Sequence, residues 1–171
     1  MPTLTPLAEM PDRDIEAILD AAFGTDRHLR TAYTIRIGLH WLPSFSYGLR
    51  DAAGRWLGLL QSWPVQLNGD DGVRTPLMMV GPVAVLPEDQ GEGYGIMLMD
   101  QLVIDADRNS SVPLMMIGDP EYYGRFWAFS ADATSGWRAP GPVDPRRLLM
   151  RPVRGHAILP ALSGILGPQA D

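Results

Sequence analysis

Val83-Ala84-Val85-Leu86-Pro87-Glu88-Asp89-Gln90-Gly91-Glu92-Gly93-Tyr94-Gly95 runs from an apolar segment through a turn into a helical pattern. The run Thr75 to Val85 is apolar enough for a strand buried on both faces. From Gly93 to Arg108, Ile96, Met99, Leu102, Val103 and Ala106 fall on one helical face. Between the two, Gly91, Gly93 and Gly95 alternate, so consecutive backbone N–H groups can face outward with no Cβ in the way. The first turn of a helix has unpaired N–H donors, and the macrodipole adds about half a positive charge there. The junction therefore predicts an anion site made of main chain and suited to a phosphate group. It needs no basic residue, and the stretch contains none. A plainer role for the glycines is to shape a tight strand-to-helix turn. The dinucleotide fingerprint G-x-G-x-x-G fits less well, because Ile96 and Met97 follow Gly95 and the turn comes after hairpin-like strands.

Working upstream, Gly81-Pro82 interrupts the strand, and a proline that cannot donate to a ladder predicts a bulge or local opening of the sheet. Ser44 to Leu49 and Arg55 to Leu67 read as a hairpin around Asp51 to Gly54, and Asn68 to Gly72 as the turn into the buried strand. Before them, Asp12 is placed to cap a helix carrying Ile15, Ile18, Leu19 and Ala22 and ended by Gly24. Leu29, Tyr33 and Ile37 repeat every fourth residue and predict a second, weaker helix. Downstream, Val112 to Ile117 is strand-like, and Asp119 is placed to cap a short helix over Glu121 to Phe126. Arg147 to Val153 suits a last strand. The chain reads as a single domain over residues 1–154 with a tail over residues 155–171, of mixed α/β class.

Composition narrows the function. With 171 residues and 46% apolar content, the chain supports a core without metal or disulfide. It has no cysteine, which excludes Cys-ligated zinc and thiol nucleophiles and suits a cytoplasmic setting. The net charge of −6 argues against a general nucleic-acid partner, which needs a basic stripe. The longest near-apolar run, Leu77 to Leu86, is too short to span a bilayer, so no membrane role is expected.

The segment Gln90-Gly91-Glu92-Gly93-Tyr94-Gly95 resembles the Q/R-x-x-G-x-G/A signature of the Gcn5-related N-acetyltransferases (GNAT), with Gln90, Gly93 and Gly95 in the defining positions. Ile117-Gly118-Asp119-Pro120-Glu121-Tyr122-Tyr123-Gly124-Arg125-Phe126 is similar to the "GDPxYYxRFGF" segment of a bacterial subgroup. Here Phe126 is followed by Trp127-Ala128-Phe129, one residue longer than Phe-Gly-Phe and without its glycine. The resemblance implies a mixed, mostly antiparallel sheet flanked by helices and splayed between its fourth and fifth strands. It also implies acetyl-coenzyme A as cosubstrate, with Val83, Ala84 and Val85 along the pantetheine arm and Gln90, Gly91, Glu92, Gly93, Tyr94 and Gly95 around the diphosphate.

The activity so implied is transfer of an acetyl group to a primary amine of a small molecule or peptide, by direct attack in a ternary complex. Tyr123 matches the family's proton donor to the leaving thiolate, with Tyr122 as the neighbouring candidate. Paired aromatics on a short helix are otherwise core packing with hydroxyls at the rim. Many members carry a glutamate on the fourth strand as base, but Thr75 to Val85 has no carboxylate, and the base is unassigned. A noncatalytic acyl-CoA-binding sensor or assembly module is the alternative from another class. The family further suggests a homodimer. Glu88, Asp89 and Glu92 are expected to face solvent, away from a bound phosphate. His28, His40, Trp41, Trp63 and Trp127 are candidates to line the acceptor pocket, and acceptor specificity is expected in Pro11 to Ser46, the Asn68 to Thr75 hairpin and the loops after Phe129.

Overall fold

A computed structural model describes residues 1–170. Among them the strands are β1 (Thr3–Pro6), β2 (Tyr47–Arg50), β3 (Trp56–Gly69), β4 (Arg74–Val85), β5 (Leu114–Ile117), β6 (Gly136–Arg138), β7 (Leu148–Arg151) and β8 (Ser163–Pro168). The helices are α1 (Asp12–Phe23), α2 (Thr31–Ile35), α3 (Tyr94–Asn109) and α4 (Pro120–Trp127). The strands form one sheet in the order β1-β2-β3-β4-β5-β7, mostly antiparallel, with β4 and β5 parallel. β3 is long enough to be shared on one edge. Its first half pairs with β2 and its second half, Val65 to Gly69, with β8, which also takes β6 alongside.

The sheet is covered on both faces. Leu98, Met99, Leu102 and Ala106 of α3 pack with Leu57, Leu60 and Met78, while Ile15, Ile18 and Leu19 of α1 pack with Leu59 and Ala84 opposite. Each fully buried leucine contributes about 1.5–3 kcal/mol of burial free energy, so the two helices are held chiefly by these faces. No helix among the described residues is long and apolar enough to cross a membrane.

Several expectations meet a different outcome. Pro11, not Asp12, is the residue before α1, and no side chain caps that end. The Leu29, Tyr33, Ile37 stripe is not a buried face. Leu29 is 86% and Ile37 67% exposed, and the segment is a 3-10 turn at Arg27–Leu29 followed by the short α2. What the segment buries is Ile35 together with Arg27 and Arg36. The stretch read as a tail supplies β8: Gly164 and Gly167 let its backbone lie against Asn68, where an added Cβ at Gly164 would meet the Asn68 carbonyl oxygen at 2.3 Å.

Two local devices hold the elements around the β4–β5 boundary. Arg151 of β7 donates to both carboxylate oxygens of Asp107 on α3, at 2.8 and 2.9 Å, and to the carbonyl of Trp127 at the end of α4, at 2.8 Å. One side chain thus ties three elements together. At the same end of α4, Ala128 adopts φ 59°, the left-handed conformation that ends helices and that glycine usually supplies. This position resolves the path after Phe126: the helix runs one residue further, to Trp127, and an alanine turns the chain.

Both devices can be tested through stability. Ala128→Gly is expected to stabilise the protein by about 1 kcal/mol in urea unfolding, since the Cβ penalty of the left-handed region outweighs glycine's entropy cost. Hydrogen bonds from Arg151 hold the Asp107 carboxyl below its ordinary 3.8, against the opposing effect of burial. A depressed folded value means that the contribution is complete above pH 3.8 and is lost as the pH falls through the folded value. Asp107→Ala should therefore cost about 1–3 kcal/mol at neutral pH. The gap from the unsubstituted protein should narrow below pH 3.8 in denaturant titrations at stepped pH.

Candidate active site

β4 and β5 stay paired only at Met78–Leu114 and Met79–Met115. Beyond that point the register of β3 and β4 shifts between Leu60 and Ser62, opposite Val80 to Val83, as the Gly81-Pro82 reading expects. The carbonyl of Gly81 leaves the ladder and accepts from Trp63 Nε1 at 2.7 Å and from an Arg36 guanidinium nitrogen at 3.2 Å. β4 and β5 diverge, and a cavity of about 580 Å³ opens between them, lined by Val80, Pro82, Val83, Met116, Gly118 and Tyr123 among others.

Backbone polarity along the gap is set by one bond. Leu86 N–H donates to the Leu57 carbonyl at 3.0 Å, so by antiparallel alternation Ala84 also addresses β3, while Val83 and Val85 turn their N–H and C=O groups toward the gap. Ala84 is thereby set apart from its neighbours: its main chain serves β3 and its side chain is buried against α1. The Val85 carbonyl accepts from Gln90 Nε2 at 3.3 Å, so Gln90 braces the turn.

The turn then presents free donors. Gly93 precedes α3 in the left-handed region at φ 81°, and Gly91 has φ 88°. The first backbone bond of the helix runs from Met97 N–H to the Gly93 carbonyl at 3.1 Å. The N–H groups of Gly91, Glu92, Gly93, Tyr94, Gly95 and Ile96 have no acceptor among the described residues. A Cβ added at Gly91, Gly93 or Gly95 would meet nothing within 4 Å, so the space beside these amides is open. Of the acidic residues near the turn, Glu88 and Glu92 face solvent, but Asp89 does not. Its side chain is largely covered and receives Arg55 bidentately at 2.9 and 3.0 Å, which directs and neutralises that charge.

At the other wall, Asp119 accepts from Glu121 N–H at 3.0 Å and starts α4. Hydrogen bonding within that first turn holds its carboxyl below the usual carboxylate range, as befits a cap. α4 lays Tyr123 over Gly118 so closely that a Cβ on Gly118 would meet the ring at 2.8 Å. Tyr123 lines the cavity. Tyr122 does not; it is exposed and packs edge-on against Tyr123 and Trp127. Burial raises the Tyr123 phenol above 10, with Tyr122 and Asp119 acting in the same direction and Arg147 against it.

The structure redistributes the remaining candidates. His28 stacks on Tyr33 beside a smaller recess and His40 lines neither space. Trp41 and Trp63 border the recess, and Trp127 is in the core with its Nε1 on Asp100 at 2.8 Å. The Asn68 to Thr75 hairpin lies away from the cavity, whereas Phe23 to Arg36 and Pro142 to Arg147 line it. Sequence reading missed Arg27 and Arg36, both buried and both lining the cavity. Arginines in a short polar segment read as solvated; the only local hint is the i, i+3 spacing of Tyr33 and Arg36.

No protein-family model matches the sequence, and no curated protein matches it. Solved structures are similar in fold. A GNAT family N-acetyltransferase, YhbS, from Escherichia coli in complex with CoA superposes with a TM-score of 0.70 at 18% identity, covering 99% of this chain and 89% of that one. A GNAT family acetyltransferase from Brucella melitensis in complex with acetyl-CoA gives 0.52 at 23% identity, covering 88% and 96%. Eis1 from Mycobacterium abscessus gives 0.54 at 18% identity, with 80% of this chain matching 33% of that one. The mixed sheet, the flanking helices and the parting of its fourth and fifth strands are thus the GNAT fold.

Proposed function

We propose that the protein is an acetyl-CoA-dependent N-acetyltransferase acting on a primary amine of a small molecule or peptide. The observation that carries this reading is the parting of β4 from β5, followed in the chain directly after β4 by a row of unpaired amides at the start of α3. The residues fit the cosubstrate: Val83 and Val85 have main-chain groups available to bond an amide-bearing arm as a strand would. The open N–H groups from Gly91 to Ile96 suit a diphosphate with no cation required.

Acetyl-CoA supplies an activated acetyl thioester. A neutral acceptor amine forms the new C–N bond and the C–S bond breaks; the thiolate leaves with a proton from the site, and the proton that the nitrogen sheds in becoming an amide restores that donor directly or through solvent, so amine and thioester give amide and free thiol. Tyr123 is the donor of that proton in this reading, because it lines the cavity, whereas Tyr122 is outside it. Its raised value keeps the phenol protonated at neutral pH. The burial that makes the phenol a weaker acid also makes a thiolate developing beside it more basic, so the two shifts run in the same direction and offset each other. Positioning between the two strands supplies the rest.

Free-thiol production from acetyl-CoA over a panel of amines tests the reading. Tyr123→Phe is expected to lower kcat by about 10²-fold or more with acetyl-CoA binding unchanged. Gly93→Asp places a side chain and a negative charge among the free amides, and should remove the thermal stabilisation that CoA confers. Stabilisation by CoA with no thiol released from any amine would identify a binding module. Absence of any stabilisation by CoA would overturn the assignment.

A further inference from the structure

Arg36 is a charge that the fold leaves unbalanced. It is only 5% exposed, and its guanidinium lies over the Tyr33 ring at 4.1 Å and the Trp63 ring at 4.4 Å. Its hydrogen bond is to a neutral acceptor, the Gly81 carbonyl at the kink of β4. No carboxylate pairs with it among the described residues. Arg27, 2% exposed, shows the contrast: it holds Glu16 and Asp20 and donates to the Tyr33 hydroxyl at 2.6 Å. Burying a cation without a counter-charge is costly, and a guanidinium carries five donors, so an anion that enters beside Arg36 relieves both deficits. Burial lowers Arg36 to about 10, which leaves it charged at neutral pH.

The surroundings have the same sign. Arg27, Arg30, Arg36 and Arg147 line the cavity, and its one lining carboxylate, Asp144, caps the Arg146 N–H at 3.0 Å. This concentration stands in a chain of net charge −6. The cosubstrate's diphosphate does not account for it, because none of residues 88–96 lines the cavity.

We propose that the acceptor carries a carboxylate beside its amine, and that Arg36, held at the β4 kink by Gly81 and between Tyr33 and Trp63, binds that carboxylate in the cavity. The inference rests on the N-acetyltransferase reading and adds the substrate class to it. Arg36 is a specificity residue here. The planar guanidinium suits two parallel bonds to a carboxylate, and two aromatic faces restrict its orientation.

The test compares amino acids with their carboxamides, and with polyamines, in thiol release from acetyl-CoA. The carboxylate member of each pair should have a kcat/KM at least about tenfold higher, the scale of a hydrogen bond to a charged group. In Arg36→Met the ratio should fall to about one through the acceptor KM, with the KM for acetyl-CoA unchanged; Arg36→Lys, which keeps charge without the fork, should fall between them and serves if the methionine variant does not fold. Equal turnover of carboxylates and carboxamides, or preference for polyamines, overturns the inference while the transferase reading stands. So does a loss confined to acetyl-CoA affinity in Arg36→Met. Should CoA bind and no amine turn over, calorimetric titration of the same amino acids into the CoA-loaded protein decides: heat that Arg36→Met abolishes supports the carboxylate site, and no heat overturns it. Failure of CoA itself to bind sinks both readings together.

Discussion

Everything functional in this molecule depends on two neighbouring parallel strands that refuse to stay paired. β4 and β5 share only two residue pairs before they part. Proline at position 82 has no N–H for a ladder, and the shifted register against β3 turns the Gly81 carbonyl aside, where Trp63 and Arg36 hold it. The far strand ends at Ile117, and the missing Cβ of Gly118 just after it lets Tyr123 close over the chain. A sheet interior ordinarily leaves no main-chain group unpaired. Here Val83 and Val85 turn theirs away from β3, with Gln90 on the Val85 carbonyl, and the α3 helix adds a row of free amides at its start.

Electrostatics is arranged around that gap rather than averaged over the surface. An acidic chain places acidic residues next to its row of open amides, and one of them, Asp89, is drawn aside by Arg55. Four arginines line the cavity instead, two of them, Arg27 and Arg36, buried, and Arg36 without a carboxylate partner among the described residues. In the proposed reading, backbone dipoles serve the cosubstrate and guanidinium groups the acceptor, two positive environments made by different chemistry.

The glycine turn, α3, both hairpins, the opening at Gly81-Pro82 and the Asp119 cap were legible because each is written in local residue types: a phosphate-ready junction, a 3.6-residue period, turn chemistry, a missing donor. The second helical stripe was misread because Leu29 and Ile37 obey the period yet remain outside, while Arg27 and Arg36, polar by type, go inside. Their burial is decided by Glu16, Asp20, Tyr33 and Trp63, contacts that span the chain and leave no local pattern. β8 escaped for a similar reason. Its pairing depends on β3 being long enough to offer a second half-edge, which is a property of the sheet and not of the segment between Ser163 and Pro168. Ala128 stands where glycine would be conventional, between the buried Trp127 and the buried Phe129, so packing on both sides imposes this turn against the alanine's own preference.

Amide hydrogen exchange with and without CoA addresses the central claim most directly, since the claim concerns backbone N–H groups that the protein itself leaves without partners. Added CoA should slow exchange at Val83, Val85 and the amides from Gly91 to Ile96, and leave the Asn68 to Thr75 hairpin unchanged. Unaltered exchange across residues 83–96 in the presence of saturating CoA would contradict the account.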